Sequence, residues 1–158
     1  MSLKKLRQFA VCLLIPLLVG FVGSLVTTPS VSTWYVALNR PSFTPPSWLF
    51  APAWTVLFIL MGIALFVIWT KGRKHENFSV ALSIFAAQLV FNFIWSLIFF
   101  GFHRPGLAFI EILILWILIA VNIFYFHKIN KTAGWLLIPY ILWVSFAAVL
   151  NYAVFALN

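Results

Sequence analysis

Acidic residues are almost missing from this sequence of 158 residues, which contains two Glu and no Asp. This scarcity argues against hydrolytic or metal-dependent catalysis, because such sites need paired carboxylates or a cluster of metal ligands. Cys12 is the only cysteine, so a disulfide within the chain and a zinc site made of cysteines are both excluded. The three His, at positions 75, 103 and 127, fall in separate predicted loops. We therefore predict no metal site and no required cofactor.

Charged residues of both signs make up 8% of the chain, whereas 65% of the residues are apolar and the mean hydropathy is +1.11. Soluble domains are about 45–50% apolar and about 25% charged, so a water-soluble fold is excluded. A membrane-spanning helix needs about 20 mainly apolar residues. The length therefore leaves room for five or six spans and for no second, soluble domain.

Five apolar segments predict transmembrane helices at about 8–26, 52–69, 78–102, 107–126 and 133–157. Helices are the expected structure because lipid offers the backbone no hydrogen-bond partners. The first segment is longer than the apolar region of a cleaved signal peptide, so it is interpreted as a span. The predicted fold is an all-α integral membrane protein, with residues 1–158 forming one five-helix bundle.

The basic residues are distributed unevenly between the two sides of this predicted bundle. Eight of the ten lie on the side of the amino terminus: Lys4, Lys5, Arg7, Lys71, Arg73, Lys74, Lys128 and Lys131. Arg40 and Arg104 lie on the other side. The positive-inside rule then predicts an inside amino terminus and an outside carboxyl terminus. It also explains the net charge of +8 without a nucleic-acid partner.

Residues 27–51 connect the first two predicted helices and contain four of the eight prolines of the chain. We place the end of the first helix at Thr27, Thr28 and Pro29. Proline restricts its own backbone and that of the preceding residue, and the segment is rich in aromatic side chains. The sequence therefore predicts an ordered lid that packs on the outer end of the bundle.

Polar and aromatic residues recur every four positions in two of the predicted helices. They are Gln88, Asn92 and Ser96 in the third, and Trp135, Pro139, Trp143, Ala147 and Asn151 in the fifth. Such stripes often serve only to pack helices together. However, Asn92, Ser96, Ala147 and Asn151 fall in the outer half of the bundle, and Trp54 lies near its outer mouth. Amide and indole groups beneath an apolar lid predict a mainly hydrophobic ligand pocket.

Glu111 is the only carboxylate within a predicted span. We expect it to pair with Arg104 or to reach the outer membrane interface, in preference to a catalytic or proton-carrying role. In the first helix, Gly20, Gly23 and Ser24 provide a surface of small residues on which two copies of the chain could pack.

Three separated motifs resemble those of the TspO/MBR family, the tryptophan-rich sensory proteins and translocator proteins. They are WYVALNRP at 34–41 with FTPPSW at 43–48 and PAW at 52–54, then NFIWS at 92–96, then PYILW at 139–143 followed by Ala147, Leu150 and Asn151. The resemblance covers almost the whole chain. It implies a five-helix bundle, usually dimeric, whose first long loop caps a pocket for porphyrins and, in relatives, for benzodiazepine-type drugs.

The resemblance also implies which residues bind the ligand, since the family's pocket positions can be carried over wherever the motifs match. These are Trp34, Tyr35, Leu38, Pro46, Trp54, Asn92, Trp95, Ser96, Phe99, Trp143, Ala147, Leu150 and Asn151. The expected ligand is a porphyrin, and the other expected partners are the lipid bilayer and a second copy of the chain.

Three functions remain open at this point. The first is a membrane-embedded binding protein or sensor for protoporphyrin-type tetrapyrroles. The second is an enzyme that degrades porphyrin with light and oxygen, in which the resemblance assigns reactivity to Trp54 and Trp143. The third is a transporter, in which Glu111 would carry a proton. Animal members have a sterol pattern that needs a basic residue after a carboxyl-terminal Tyr, and Lys131 precedes Tyr140 and Tyr152. A bacterial cell membrane is therefore expected.

Overall fold

The computed structural model describes residues 2–158, and all the regular secondary structure in that range is helical. The elements are α1 (Leu3–Ser32), α2 (Trp34–Ala37), α3 (Ser47–Lys71), α4 (Phe78–Ser96), a π-helical turn (Leu97–Gly101), α5 (Pro105–Ile129), α6 (Lys131–Leu136) and α7 (Ile138–Leu157). Five helical segments are long and apolar enough to cross a membrane. The predicted all-α, five-span architecture is confirmed.

The predicted end of the first helix at Thr27 to Pro29 is wrong, because α1 continues to Ser32. Proline removes one backbone donor and so costs the helix one hydrogen bond, while hydroxyl groups on either side of Pro29 add bonds to other carbonyls of the helix. The hydroxyl of Thr27 donates to the carbonyl of Gly23 at 3.0 Å, and that of Thr33 donates to the carbonyl of Pro29 at 2.8 Å. The helix therefore passes through Pro29.

The second membrane helix also begins earlier than predicted, at Ser47 instead of residue 52. Pro52 lies inside α3 near its start, where its missing N–H removes only one bond of the helical ladder. As a result, the predicted lid of residues 27–51 shrinks to residues 33–46. This shorter segment, which contains α2, is called the lid below, and the end of the bundle that carries it is the lid end.

Two irregularities in the other helices were not predicted. The third span ends in the π-helical turn Leu97–Gly101, which adds one residue to the turn and precedes the break at Phe102. The fifth span is interrupted at Leu137, between α6 and α7, just before Pro139. A proline near the start of a helix needs no backbone donor, which also suits Pro105 as the first residue of α5.

The helices pack most closely away from the lid end. A Cβ atom at Gly62 on α3 would lie 2.8 Å from Cα of Leu13 and 2.9 Å from the carbonyl oxygen of Cys12 on α1, so the two backbones touch there. Met61, Ala64 and Ile68 on the same helix are fully buried. The cavity described below lies at the other end of the bundle, beneath the lid.

Candidate ligand-binding site

A cavity of about 690 Å³ lies at the lid end, between α1, α3, α4, the π-helical turn and α7. Its wall includes ten of the thirteen residues predicted to bind ligand. They are Tyr35, Trp54, Asn92, Trp95, Ser96, Phe99, Trp143, Ala147, Leu150 and Asn151. These residues are far apart in the sequence, and the fold brings them to one volume.

The other three predicted residues, Trp34, Leu38 and Pro46, lie outside this wall. The indole of Trp34 stacks on the imidazole of His103, with ring centroids 4.3 Å apart and an angle of 18° between the planes. Leu38 and Pro46 border a separate, shallow groove on the lid. These three side chains build the lid and do not face the cavity.

The helix α1 supplies the cavity wall from Leu17 to Ser32, although no residue of this helix was predicted to bind ligand. The small residues Gly20 and Gly23, interpreted from the sequence as a contact between two copies, pack within this chain. A Cβ atom at Gly20 would lie 2.3 Å from the ring of Phe58, and one at Gly23 would lie 3.7 Å from the hydroxyl oxygen of Ser96. The small-residue spacing therefore serves a contact within this chain at Gly20 and Gly23, and the contact between two copies stays a prediction.

Aromatic rings form much of the cavity wall. The rings of Trp95 and Phe99 stack with centroids 5.3 Å apart at 22°, and those of Trp54 and Phe58 stack at 5.7 Å and 29°. The ring of Trp143 meets that of Phe50 edge-on, with centroids 6.2 Å apart. Mutual packing of this kind holds the rings in fixed orientations. The cavity therefore offers rigid apolar faces that suit a flat hydrophobic guest.

Two of the polar groups in the wall are occupied by bonds within the protein. The indole N–H of Trp95 donates to Oδ1 of Asn151 at 3.0 Å, and Nδ2 of Asn151 donates to the carbonyl of Pro105 at 2.8 Å. These bonds link α4, α7 and the start of α5. Asn151 was expected to contact ligand, but its amide groups fix the wall in place.

Two further polar groups lie in the wall, on Asn92 and Trp143. Nδ2 of Asn92 donates to the hydroxyl oxygen of Tyr140 at 3.0 Å. The amide oxygen of Asn92 takes no part in this hydrogen bond. The indole nitrogen of Trp143 is buried and has no hydrogen-bond partner in the part of the chain that the structure describes. Buried donors in proteins are nearly always satisfied. The cavity-lining residue Trp143 therefore carries a buried indole N–H whose acceptor is missing from this range of residues.

The sequence model of the TspO/MBR family matches residues 12–157. This chain belongs to the TspO/MBR family. It is 42% identical to the tryptophan-rich protein TspO of Chlorobaculum tepidum over 155 residues, which is 98% of each chain. It is 43% identical to the protein of the same name from Archaeoglobus fulgidus, with 90% of this chain and 91% of that one covered. The translocator protein of Bos taurus is 35% identical, with 88% and 83% covered.

This TspO/MBR protein is an integral, multi-pass membrane protein, as its five apolar helices and its family together show. Its lid is anchored by Tyr35, which is 4% exposed and packs against Phe99 and Phe100. The guanidinium carbon of Arg40 lies 5.3 Å from the centre of the Tyr35 ring. Burial raises the pKa of Tyr35, although the charge of Arg40 acts in the opposite direction. The phenol is therefore neutral at physiological pH.

The expected pairing of Glu111 with Arg104, or its reach to the interface, is wrong. Glu111 is 6% exposed, and neither carboxylate oxygen has a hydrogen-bond partner among residues 2–158. The reason is its position on the inner face of α5, where Ala108, Ile112 and Leu115 are also buried. Glu111 does not line the cavity.

Proposed function

We propose that this TspO/MBR protein binds a protoporphyrin-type tetrapyrrole in the cavity and acts as a membrane-embedded sensor or carrier for it. The observation that supports this most directly is the shape and chemistry of the cavity. Its volume of about 690 Å³ falls within the range of about 300–1,000 Å³ that small-molecule sites occupy. Its wall combines stacked aromatic faces with one buried, unpartnered indole donor.

In this proposal the macrocycle lies among the rings of Trp54, Trp95 and Trp143. Large flat surfaces gain most from such contacts, because aromatic side chains bury large areas and prefer offset stacking. The indole N–H of Trp143 would donate to an acceptor on the ligand, which would satisfy a group that is otherwise orphaned. Arg40, which lies over Tyr35 in the lid, would pair with a propionate of the ligand.

No His, Cys or Met lines the cavity in the described range of residues. His103 is held outside it by its stacking on Trp34. The usual axial ligands of haem iron are His, Cys, Met and Tyr. Tyr35 lines the cavity, but burial raises the pKa of its phenol, which disfavours the phenolate that would bind iron. We therefore expect metal-free protoporphyrin to bind at least as tightly as haem.

The experiment that tests this function is quenching of tryptophan fluorescence by protoporphyrin, with the protein in detergent and in the dark. Saturable quenching that weakens in Trp143→Phe would support a specific site. Quenching that does not saturate, or that is unchanged in Trp143→Phe and in Ala147→Phe, would contradict the proposal.

A second candidate function is light- and oxygen-dependent degradation of porphyrin. It is favoured by the presence of both Trp54 and Trp143 in the cavity wall. Indole is readily oxidised and a bound porphyrin is a photosensitiser, so electron transfer between them requires no acid–base pair. Illumination of the wild-type complex in air should then give a new absorbing product. At a porphyrin concentration high enough to saturate its weakened site, the double variant Trp54→Phe, Trp143→Phe should form none of this product. Persistent product would remove these residues from the mechanism.

We also propose that the protein resides in a bacterial cell membrane as a homodimer, with its amino terminus inside. The orientation is supported by the eight basic residues on the side away from the lid. Reporter fusions to each terminus test it, and an outside amino terminus would overturn it. Cross-linking in native membranes tests the dimer.

A further inference from the structure

The cavity is open on one side. The wall residues that belong to α4, the π-helical turn and α7 are all buried or half-buried. The exposed wall residues lie on α1 and α3, and they are Phe21, Ser24, Thr28, Ser32, Ser47, Ala51 and Thr55. The opening therefore lies between the lid-end halves of these two helices.

Two rows of small residues border this opening. The α1 row consists of Ser24, Thr28 and Ser32, and the α3 row consists of Ser47, Ala51 and Thr55. Residues four apart lie on one face of a helix, so each row forms a single edge. The hydroxyl of Ser24 donates to the carbonyl of Phe21 at 2.7 Å, and that of Thr55 donates to the carbonyl of Ala51 at 2.8 Å. The hydroxyls of Ser24 and Thr55 are thus satisfied within their own helices, and small side chains line both edges of the opening.

The opening lies at the level of the membrane interface. About 20 helical residues cross the hydrocarbon core. If the core begins at the basic residues Arg7 on α1 and Lys71 on α3, its boundary on the lid side lies near Thr27 on α1 and near Ala51 on α3. Both rows therefore straddle the boundary between acyl chains and head groups. Phe21 and Thr55 lie on the acyl side of it, whereas Ser32 and Ser47 lie on the head-group side.

The lid side of the cavity is closed by comparison. Tyr35 is 4% exposed and packs on Phe99 and Phe100, and Trp34 stacks on His103. A ligand that arrived from water would have to displace these contacts. A ligand in the bilayer meets the open side directly.

We infer that the opening between the α1 row and the α3 row is the entrance of the cavity, and that the ligand enters sideways from the bilayer. This inference extends the proposed function. It depends on that function only for the identity of the ligand. It assigns the ligand to membrane-dissolved amphiphiles, with an apolar part at the depth of the acyl chains and a polar part at the head groups. Porphyrins with two propionates have this character.

A thiol-labelling experiment tests the entrance without any porphyrin. The variant Ala147→Cys places a thiol in the cavity wall. The native Cys12 is 3% exposed and lies outside the cavity, so labelling of the parent protein gives the background rate of thiol modification. The protein is reconstituted in liposomes and treated with a pyrene maleimide dissolved in the bilayer or with a charged maleimide in the external water. We expect the bilayer-dissolved reagent to label Cys at 147 at least about tenfold faster, because it concentrates at the opening.

Narrowing the opening supplies the decisive comparison. Ser24→Phe or Thr55→Phe, added to Ala147→Cys, should slow labelling from the bilayer about tenfold. A rate change of this size is expected because the added ring raises the barrier to entry modestly. Ser83→Phe is the matched control, since Ser83 is exposed on α4 and does not line the cavity. It should leave the rate unchanged.

Each outcome is informative. Faster labelling from water than from the bilayer, or equal rates in Ser24→Phe, Thr55→Phe and Ser83→Phe, would overturn the lateral entrance. Porphyrin kinetics then separate this inference from the proposed function. If porphyrin binds the wild type but Ser24→Phe and Thr55→Phe leave its association rate unchanged, the entrance is wrong and the site stands. If porphyrin does not bind while labelling follows the expected pattern, the entrance stands and the guest is wrong.

Discussion

Asn158, beyond the end of α7, is hydrogen-bonded to both backbone polar groups of Asn39 in the lid. Its Oδ1 accepts from the N–H of Asn39 at 3.0 Å, and its Nδ2 donates to the carbonyl of Asn39 at 3.0 Å. Nδ2 also donates to the carbonyl of Val154 at 2.8 Å, which orients the side chain on its own helix. The lid is therefore latched to the end of the fifth membrane-spanning segment.

The first prediction concerns this latch. Asn158→Ala removes both bonds, each of which contributes about 0.5–1.5 kcal/mol, so the lid should open locally about tenfold more often while the bundle remains folded. Hydrogen exchange of the backbone amides in residues 34–40 measures this opening. In the Ala147→Cys background, labelling by the charged maleimide should also become faster.

Asn77→Ala serves as the control for the latch, because Asn77 lies in the turn before α4, far from the lid. It should leave exchange in the lid unchanged. Unaltered exchange in Asn158→Ala would show that the aromatic contacts of the lid suffice to hold it.

A second prediction concerns the space beside Ala147. Ala147→Phe introduces a ring where a small side chain lines the cavity, and it should weaken protoporphyrin binding by at least about tenfold through loss of volume. Equilibrium titration of fluorescence quenching measures the affinity. Ala156→Phe, on the exposed surface of the same helix, should bind as the wild type does. Equal affinities in the two variants would exclude the cavity as the binding site.

The third prediction separates two tryptophans that line the same cavity. Trp95→Phe leaves Oδ1 of Asn151 without its donor, so the free energy of unfolding should fall by about 1–3 kcal/mol. Trp143→Phe removes an indole N–H that has no protein partner, so it should affect ligand affinity more than stability. Thermal unfolding in detergent and porphyrin titration of both variants provide the test. A larger loss of stability in Trp143→Phe than in Trp95→Phe would contradict this assignment.

The fourth prediction concerns Glu111. Because neither carboxylate oxygen has a partner in the described part of the chain, Glu111→Leu should raise the free energy of unfolding by about 1–3 kcal/mol through removal of an unsatisfied polar group. The midpoint of thermal unfolding would increase accordingly. Glu76→Leu, at an exposed position in the turn before α4, should change it little. A marked decrease in Glu111→Leu would show that the carboxyl group has a partner in the membrane.

Several features of the site followed from the sequence because they depend on local patterns. The four-residue spacing of Asn92 and Ser96, and of Trp143, Ala147 and Asn151, placed these residues on helix faces at a similar depth. The structure brings them into the same cavity wall. Periodicity and depth are properties of one helix at a time, so no knowledge of the packing was needed.

Other features could not follow from the sequence, because they depend on which helix lies against which. The four-residue recurrence of Ser24, Thr28 and Ser32 is visible in the sequence, but only the position of α1 beside α3 turns it into one edge of an opening. Gly20 illustrates the same point, since its missing side chain makes room for Phe58 of a neighbouring helix. The burial of Glu111 likewise reflects the packing of α5 against its neighbours.

The sequence by itself determined the membrane location, the five helical spans and the aromatic character of the pocket. Their physical cause is that lipid requires long apolar segments whose backbones are satisfied internally. The tertiary structure decided that α1 forms one wall, that the lid is latched at Asn158 and that the cavity opens toward the bilayer. These depend on contacts between distant residues, which a helix pattern does not encode.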